Sequence, residues 1–211
     1  MRLKGAVALV VGAGSAVGTA VVRGLLARDV AKVYADAQFK HFDTWPTGAT
    51  PLWVDLERRG NIGALARELS DVNLLINCLL LGPNGAPSDE GADAQGSHRR
   101  SPTVSRTLKL IDAFAPVLSA KGGGAVVNVL CALHSGDTVP TPSRPLAEWM
   151  LSNNLQDRLA AQQTQLLFFG AQLVVVPGFQ ELGDKSALAG HVAMRLLDQL
   201  DPETALNRLE I

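Results

Sequence analysis

The sequence predicts a doubly wound α/β sandwich: one parallel sheet with helices on both faces, formed as a single domain by residues 1–211. Three observations predict it. Short apolar runs alternate along the chain with segments of helical period, the strand–helix–strand rhythm of a layered α/β domain. The runs are continuously apolar rather than alternating, as expected of strands covered on both faces. The first run passes through a glycine-rich turn directly into a helix. With 47% hydrophobic residues, the chain can bury one sizeable core.

The elements follow in order. Ala6–Val11 is a first strand, and Val17–Arg28 carries the helical period that follows it. Lys32–Ala35 and Pro51–Asp55 read as the second and third strands, with a helix over Asn61–Leu69 after them. Asn73–Cys78 is a fourth strand. Gly82–Pro102 breaks the rhythm: it is rich in Gly, Pro, Ser and Asp, has no apolar period, and is expected to be an irregular, flexible loop. A helix over Val104–Ser119, a strand at Ala125–Leu130, a helix over Leu146–Gln163, a strand at Gln172–Val176 and a helix over Ser186–Gln199 complete the pattern. Right-handed crossovers between parallel strands then give the layered sandwich. No internal repeat and no second domain is apparent.

Composition narrows the partners. A net charge of −1 argues against nucleic acid or an anionic membrane surface, which call for clustered basic residues. Arg99-Arg100 is too short a run to alter that. Cys78 and Cys131 both lie in apolar runs and read as reduced core thiols, pointing to a cytoplasmic protein. Met1-Arg2-Leu3-Lys4 before an apolar run imitates a secretory signal, but Gly12, Gly14 and Gly18 interrupt it, so a buried strand is expected. No apolar stretch approaches the ~18 residues of a membrane span.

The first turn carries the clearest chemistry. In Gly12-Ala13-Gly14-Ser15-Ala16-Val17-Gly18, Gly12 can take the positive φ of a tight turn, and Gly18 lets the helix lie close to the strand. The free N–H groups at the helix start then face an anion such as a pyrophosphate. Many strand–helix turns use glycine without binding anything. Asp36, 18 residues beyond Gly18 at the end of the second strand, can accept hydrogen bonds from a ribose diol and would repel a 2′-phosphate. That favours NAD over NADP. A solvated Asp at a strand end is the alternative. Asp55 could meet the adenine edge or cap the following helix.

These residues resemble the short-chain dehydrogenase/reductase family, over essentially the whole chain. The family's T-G-x-x-x-G-x-G is matched by Val11 to Gly18, with Val11 for the Thr and Ala16 for the middle Gly. Its Asp motif after the third strand is matched by Asp55-Leu56, and its N-N-A-G by Asn77-Cys78-Leu79-Leu80, where the first Asn alone is kept. Ala113–Leu118, Gly122–Val129 and Val176-Pro177-Gly178 also have the family's look. The resemblance implies a Rossmann-type sheet of strand order 3-2-1-4-5-6. It implies a nicotinamide dinucleotide held by Gly12, Gly14, Ser15, Ala16, Val17, Gly18, Asp36, Asp55, Leu56, Asn77 and Cys78. It also implies pairing through the helices at Val104–Ser119 and Leu146–Gln163, as a homo-oligomer or with an active homologue.

The resemblance stops at the chemistry. Family members use Ser, Tyr and Lys, the last two as Y-x-x-x-K, often with an Asn. Here the Asn position falls near Thr103, the Ser position at Cys131, and the Tyr and Lys positions near Thr141 and Pro145. Tyr34 is the one tyrosine, and no lysine lies between Lys121 and Lys185, so no shift of register restores the pair. A phenol of pKa about 10 needs a neighbouring ammonium to exchange protons near neutrality. The Thr that follows P-G in the family falls at Leu182, and the segment Phe179–Ala189, where specificity would be built, is short.

Cys131 and His134 could form a thiol–imidazole pair, or could be a core thiol and a loop histidine. His41, His98 and His191 have no metal-ligand spacing. Trp45, Trp53 and Trp149 read as core or interface. Three functions follow: a degenerate, cofactor-holding partner protein; a working oxidoreductase with another proton donor; or a non-redox enzyme on this fold.

Overall fold

The computed structural model describes residues 1–36, 45–53, 55, 56, 58, 60–81, 102–135, 153–175 and 182–202. Its strands are β1 (Val7–Val11), β2 (Lys32–Asp36), β3 (Ala49–Leu52), β4 (Leu74–Leu81), β5 (Gly124–Ser135) and β6 (Thr164–Val175). Its helices are α1 (Ala16–Leu26), α2 (Asn61–Glu68), α3 (Pro102–Ala120), α4 (Asn153–Ala161) and α5 (Leu182–Leu200). The strands form one sheet in the order β3-β2-β1-β4-β5-β6, parallel at every pairing. The expected strand order and doubly wound architecture are therefore observed.

Each face of the sheet has its own apolar layer, which explains why the strands read as unbroken apolar runs. On one face Ala8, Val10, Val33, Ile76 and Val127 pack with Val17, Val21 and Leu25 of α1 and Val192, Leu196 and Leu197 of α5. On the other, Leu9, Leu75 and Val126 pack with Leu65 of α2, Leu110, Ile111, Phe114 and Leu118 of α3, and Leu155 and Leu159 of α4. Fully burying a side chain of this size stabilises by roughly 1.5–3 kcal/mol. Leu155 and Leu159, in the helix through which pairing was expected, thus pack on the chain's own sheet.

Helix α5 closes the first layer and ties it to the start of the chain. The Met1 ammonium donates to the Leu200 carbonyl at 2.9 Å, and the Leu3 N–H to Asp201 Oδ2 at 2.8 Å. Arg28, its side chain 3% exposed, reaches Asp198 at 2.5 Å and donates to the Gly24 carbonyl at 3.1 Å.

The structure moves several expected boundaries. Strand β6 starts at Thr164 rather than Gln172, because pairing with β5 runs from Gly124↔Thr164 to Ser135↔Val175. Strand β5 continues past Leu130 to Ser135 for the same reason. Pro102, expected to end the irregular loop, is the first residue of α3, a position where its missing N–H costs nothing. Helix α5 starts at Leu182, inside the segment expected to be a short mixed loop. Trp53 is 57% exposed and so is not core, whereas Trp45 packs against the first layer and donates to the Ala49 carbonyl at 3.1 Å. Most of the expected loop over Gly82–Pro102 lies outside the described residues, as do Thr141, Pro145, Trp149, His41 and His98.

Candidate nucleotide-binding site

The turn from β1 into α1 is built by backbone contact. Gly12 has φ +76°, the left-handed region that an L side chain rarely adopts. A methyl there would sit 2.4 Å from the Cys78 carbonyl oxygen at the end of β4. A methyl on Gly18 would sit 2.2 Å from the Gly12 carbonyl oxygen. Both glycines are therefore fixed by close packing: the first against the neighbouring strand, the second by folding α1 down on its own turn.

Ser15 caps the helix. Its Oγ accepts from the Gly18 N–H at 2.9 Å and donates to the Gly12 carbonyl at 2.9 Å. Thr19 Oγ1 lies 2.9 Å from the carbonyl oxygens of both Ala13 and Ser15. In the first turn the Gly18 N–H is thus used by Ser15, and that of Thr19 by the Ser15 carbonyl at 2.9 Å. The N–H groups of Ala16 and Val17 have no acceptor within the helix, as at any α-helix start, and the helix dipole adds partial positive charge there. Gly14 and Ala16 are exposed on the turn, while Val17 and Gly18 are buried. Among the described residues of the turn, an anion approaching from the carboxyl end of β1 meets backbone N–H groups and the small side chains of Ser15 and Ala16. Ala16 adds a methyl to that approach.

Asp36 stands beside this turn. The β1–β2 register pairs Val10 with Ala35, so Asp36 is level with Val11, one strand away, ~4.8 Å in the sheet direction. It is half-buried. Asp36 and the start of α1 thus follow neighbouring strands at the same level of the sheet.

The remaining expected contacts divide. Asp55 is exposed, but it does not cap α2, whose N-cap is Gly60; Asn61 Nδ2 instead donates to the Asp55 carbonyl at 2.8 Å. The Leu56 side chain is buried in the second apolar layer, 5% exposed, which leaves its backbone alone for any ligand. Asn77 is 0% exposed and donates through Nδ2 to Asn128 Oδ1 at 2.9 Å. It is a core residue beneath the turn, not part of its lining. Cys78 is half-buried and forms no disulfide among the described residues, and its carbonyl forms the wall that Gly12 abuts.

The chain's one tyrosine stands away from this turn. Tyr34 is 7% exposed and lies in β2 opposite Leu9, three residues short of Gly12, or about 10 Å along the strand. Its hydroxyl lies 2.7 Å from Lys32 Nζ and 3.2 Å from both oxygens of Asp71. The hydrogen bond to Tyr34 holds the Lys32 ammonium above its ordinary range. This Tyr–Lys pair sits toward the amino ends of the strands, away from the nucleotide turn. Cys131 and His134 are both in β5, opposite Ala171 and Val174 of β6. Thr103 falls in the first turn of α3, and Leu182 begins α5.

Sequence reasoning missed Asn128. Its signal was a single polar residue inside the apolar run Ala125–Leu130, where an unpaired amide would be costly.

No family model and no curated protein matches the chain. Among solved structures it is similar to a short-chain dehydrogenase from Burkholderia cenocepacia J2315 in complex with NADP, with 21% identity and a TM-score of 0.63 over 93% of this chain and 86% of that one. It is also similar to a short-chain dehydrogenase from Streptomyces avermitilis, with 20% identity and a TM-score of 0.62 over 95% and 85%. A third likeness is to an NADH-dependent reductase complexed with NAD, with 16% identity and a TM-score of 0.59 over 90% and 88%. Together with the strand order, these likenesses establish that the chain has the fold of the short-chain dehydrogenases.

Proposed function

We propose that this protein is a divergent short-chain dehydrogenase/reductase that holds NAD(H) but reduces or oxidises little by itself, acting as a cofactor-binding or partner subunit. One observation carries the reading: a Ser15-capped helix start, packed against β4 through Gly12, with Asp36 level with it on the neighbouring strand. The N–H groups of Ala16 and Val17 fit a pyrophosphate, and the Asp36 carboxylate fits a ribose diol. Bound there, a nicotinamide supplies or accepts a hydride. This chain's own contribution to the matching proton transfer is what is missing. Its one tyrosine is engaged with Lys32 and Asp71 elsewhere, and Cys131 takes the place of the family's Ser.

General acid catalysis by such a donor contributes roughly 10²–10⁴-fold. Its loss therefore gives a protein that binds the nucleotide without turning it over usefully. The test is a panel of aldehydes, ketones, quinones and alcohols followed at the nicotinamide absorbance. The expected result is turnover below about 1 s⁻¹, under the usual range for enzymes. Faster turnover on any member of the panel would establish the rival reading, a working oxidoreductase with another proton donor.

A further inference from the structure

Asn77 and Asn128 form a polar layer in the core. The register aligns Val11, Asn77, Asn128 and Phe168 across four strands. Leu75 and Val126, one step toward the amino ends on the same face, are apolar and fully buried. Both asparagines are 0% exposed, and Thr107 of α3, packed over this face, is 1% exposed. Asn77 Nδ2 donates to Asn128 Oδ1 at 2.9 Å, which leaves Asn77 Oδ1 and Asn128 Nδ2 buried without a hydrogen-bond partner among the described residues. Rotating the amides gives no relief. Turning both exchanges which atoms are left over, and turning one sets like atoms against each other.

An apolar pair here would continue the layer below and cost nothing, whereas an unpaired buried donor and acceptor are each costly. The pair's position marks what it serves. Asn77 is the last residue before Cys78, whose carbonyl is the wall against which Gly12 is packed. Displacing Asn77 displaces that wall.

We infer that Asn77 Oδ1 and Asn128 Nδ2 form a built site for ordered water beneath the nucleotide turn, and that Asn128, through Asn77 and Cys78, is a positioning residue for that turn. Water suits both groups, since it donates to the amide oxygen and accepts from the amide nitrogen, and buried water is held by such otherwise unsatisfied atoms. The positioning role rests on the nucleotide reading; the hydration site does not.

A high-resolution crystal structure of the unliganded protein tests the site directly. Water density within hydrogen-bond distance of both atoms is expected; asparagines bonded instead to protein groups, with no such density, would overturn it. The positioning role is read by calorimetric titration of NADH into the native protein, Asn128→Leu and Leu118→Ala. Leu118 is equally buried on the same face but at the far end of α3. Asn128→Leu should weaken NADH binding about five- to tenfold, the worth of about one hydrogen bond. Leu118→Ala should lower the melting temperature with the affinity unchanged. Equal affinity in native protein and Asn128→Leu, or equal losses in both variants, would refute positioning. No binding by the native protein would instead refute the nucleotide reading.

Discussion

Gly18 and Gly190 are both helical glycines, and the structure predicts opposite outcomes when each becomes alanine. In α1, a methyl on Gly18 would meet the Gly12 carbonyl oxygen at 2.2 Å, Ala13 Cα at 2.8 Å and the Gly12 carbonyl carbon at 2.9 Å. All three are backbone atoms of a turn already pinned by Ser15, so they cannot swing aside as a side chain would. Overpacking of this kind costs about 1–3 kcal/mol, and three hard contacts put it near ~3 kcal/mol. The gain in helix propensity offsets roughly 0.5–1 kcal/mol, leaving Gly18→Ala destabilised by about 2 kcal/mol. In α5, nothing among the described residues lies within 4 Å of a methyl on Gly190. There the propensity gain stands alone, and Gly190→Ala should stabilise by about 0.5–1 kcal/mol. Urea unfolding measures both. With a slope of ~3 kcal/mol/M, Gly18→Ala should lower the midpoint by about 0.7 M and Gly190→Ala raise it by about 0.2–0.3 M. If Gly18→Ala is neutral or stabilising, the turn is not packed as described, and the cradle for an anion is lost with it.

Four further outcomes are expected. Asp36→Ala should weaken NADH binding about tenfold or more, the worth of a charge-assisted hydrogen bond, and narrow the preference over NADPH; calorimetry with both nucleotides checks it. Asp198→Ala leaves the Arg28 guanidinium, its side chain 3% exposed, buried and uncompensated, a loss of about 3 kcal/mol visible as an earlier thermal transition. Trp149→Glu should convert a dimer into a monomer by light scattering; a native protein already monomeric at micromolar concentration would rule out pairing through that segment. Lys32→Met removes a partner of Tyr34 at the far end of the strands and should leave NADH affinity unchanged; a loss there would contradict the separation of that pair from the nucleotide turn.

The fold was legible because burial on both faces leaves a simple trace. Strands of a sheet covered by helices on both sides carry few polar residues: Ala6–Val11 has none, and Asn73–Cys78 has only Asn73 and Asn77. The turn was legible because two separate geometric demands, a left-handed φ at Gly12 and a close approach at Gly18, both call for glycine. What was hidden depends on pairing partners. Strand β6 begins in Thr164-Gln165, polar residues that look like a helix end, and only the ladder with β5 makes them strand. Leu56 and Asn77 fit a binding motif by position, yet their side chains are buried, a fact set by packing from α2 and α3 rather than by spacing. The end of the fifth strand was expected at Leu130. The continuation to Ser135 is fixed by twelve paired positions with β6, which no local pattern reveals.

Titration of NADH and NADPH into the native protein by calorimetry decides whether this turn holds a nucleotide, and which one. The Ser15-capped turn and the level Asp36 predict saturable NADH binding, tighter than NADPH by at least tenfold, since a carboxylate that accepts from a ribose diol repels a 2′-phosphate. Tighter binding of NADPH, or no heat from either nucleotide at millimolar concentration, would contradict it.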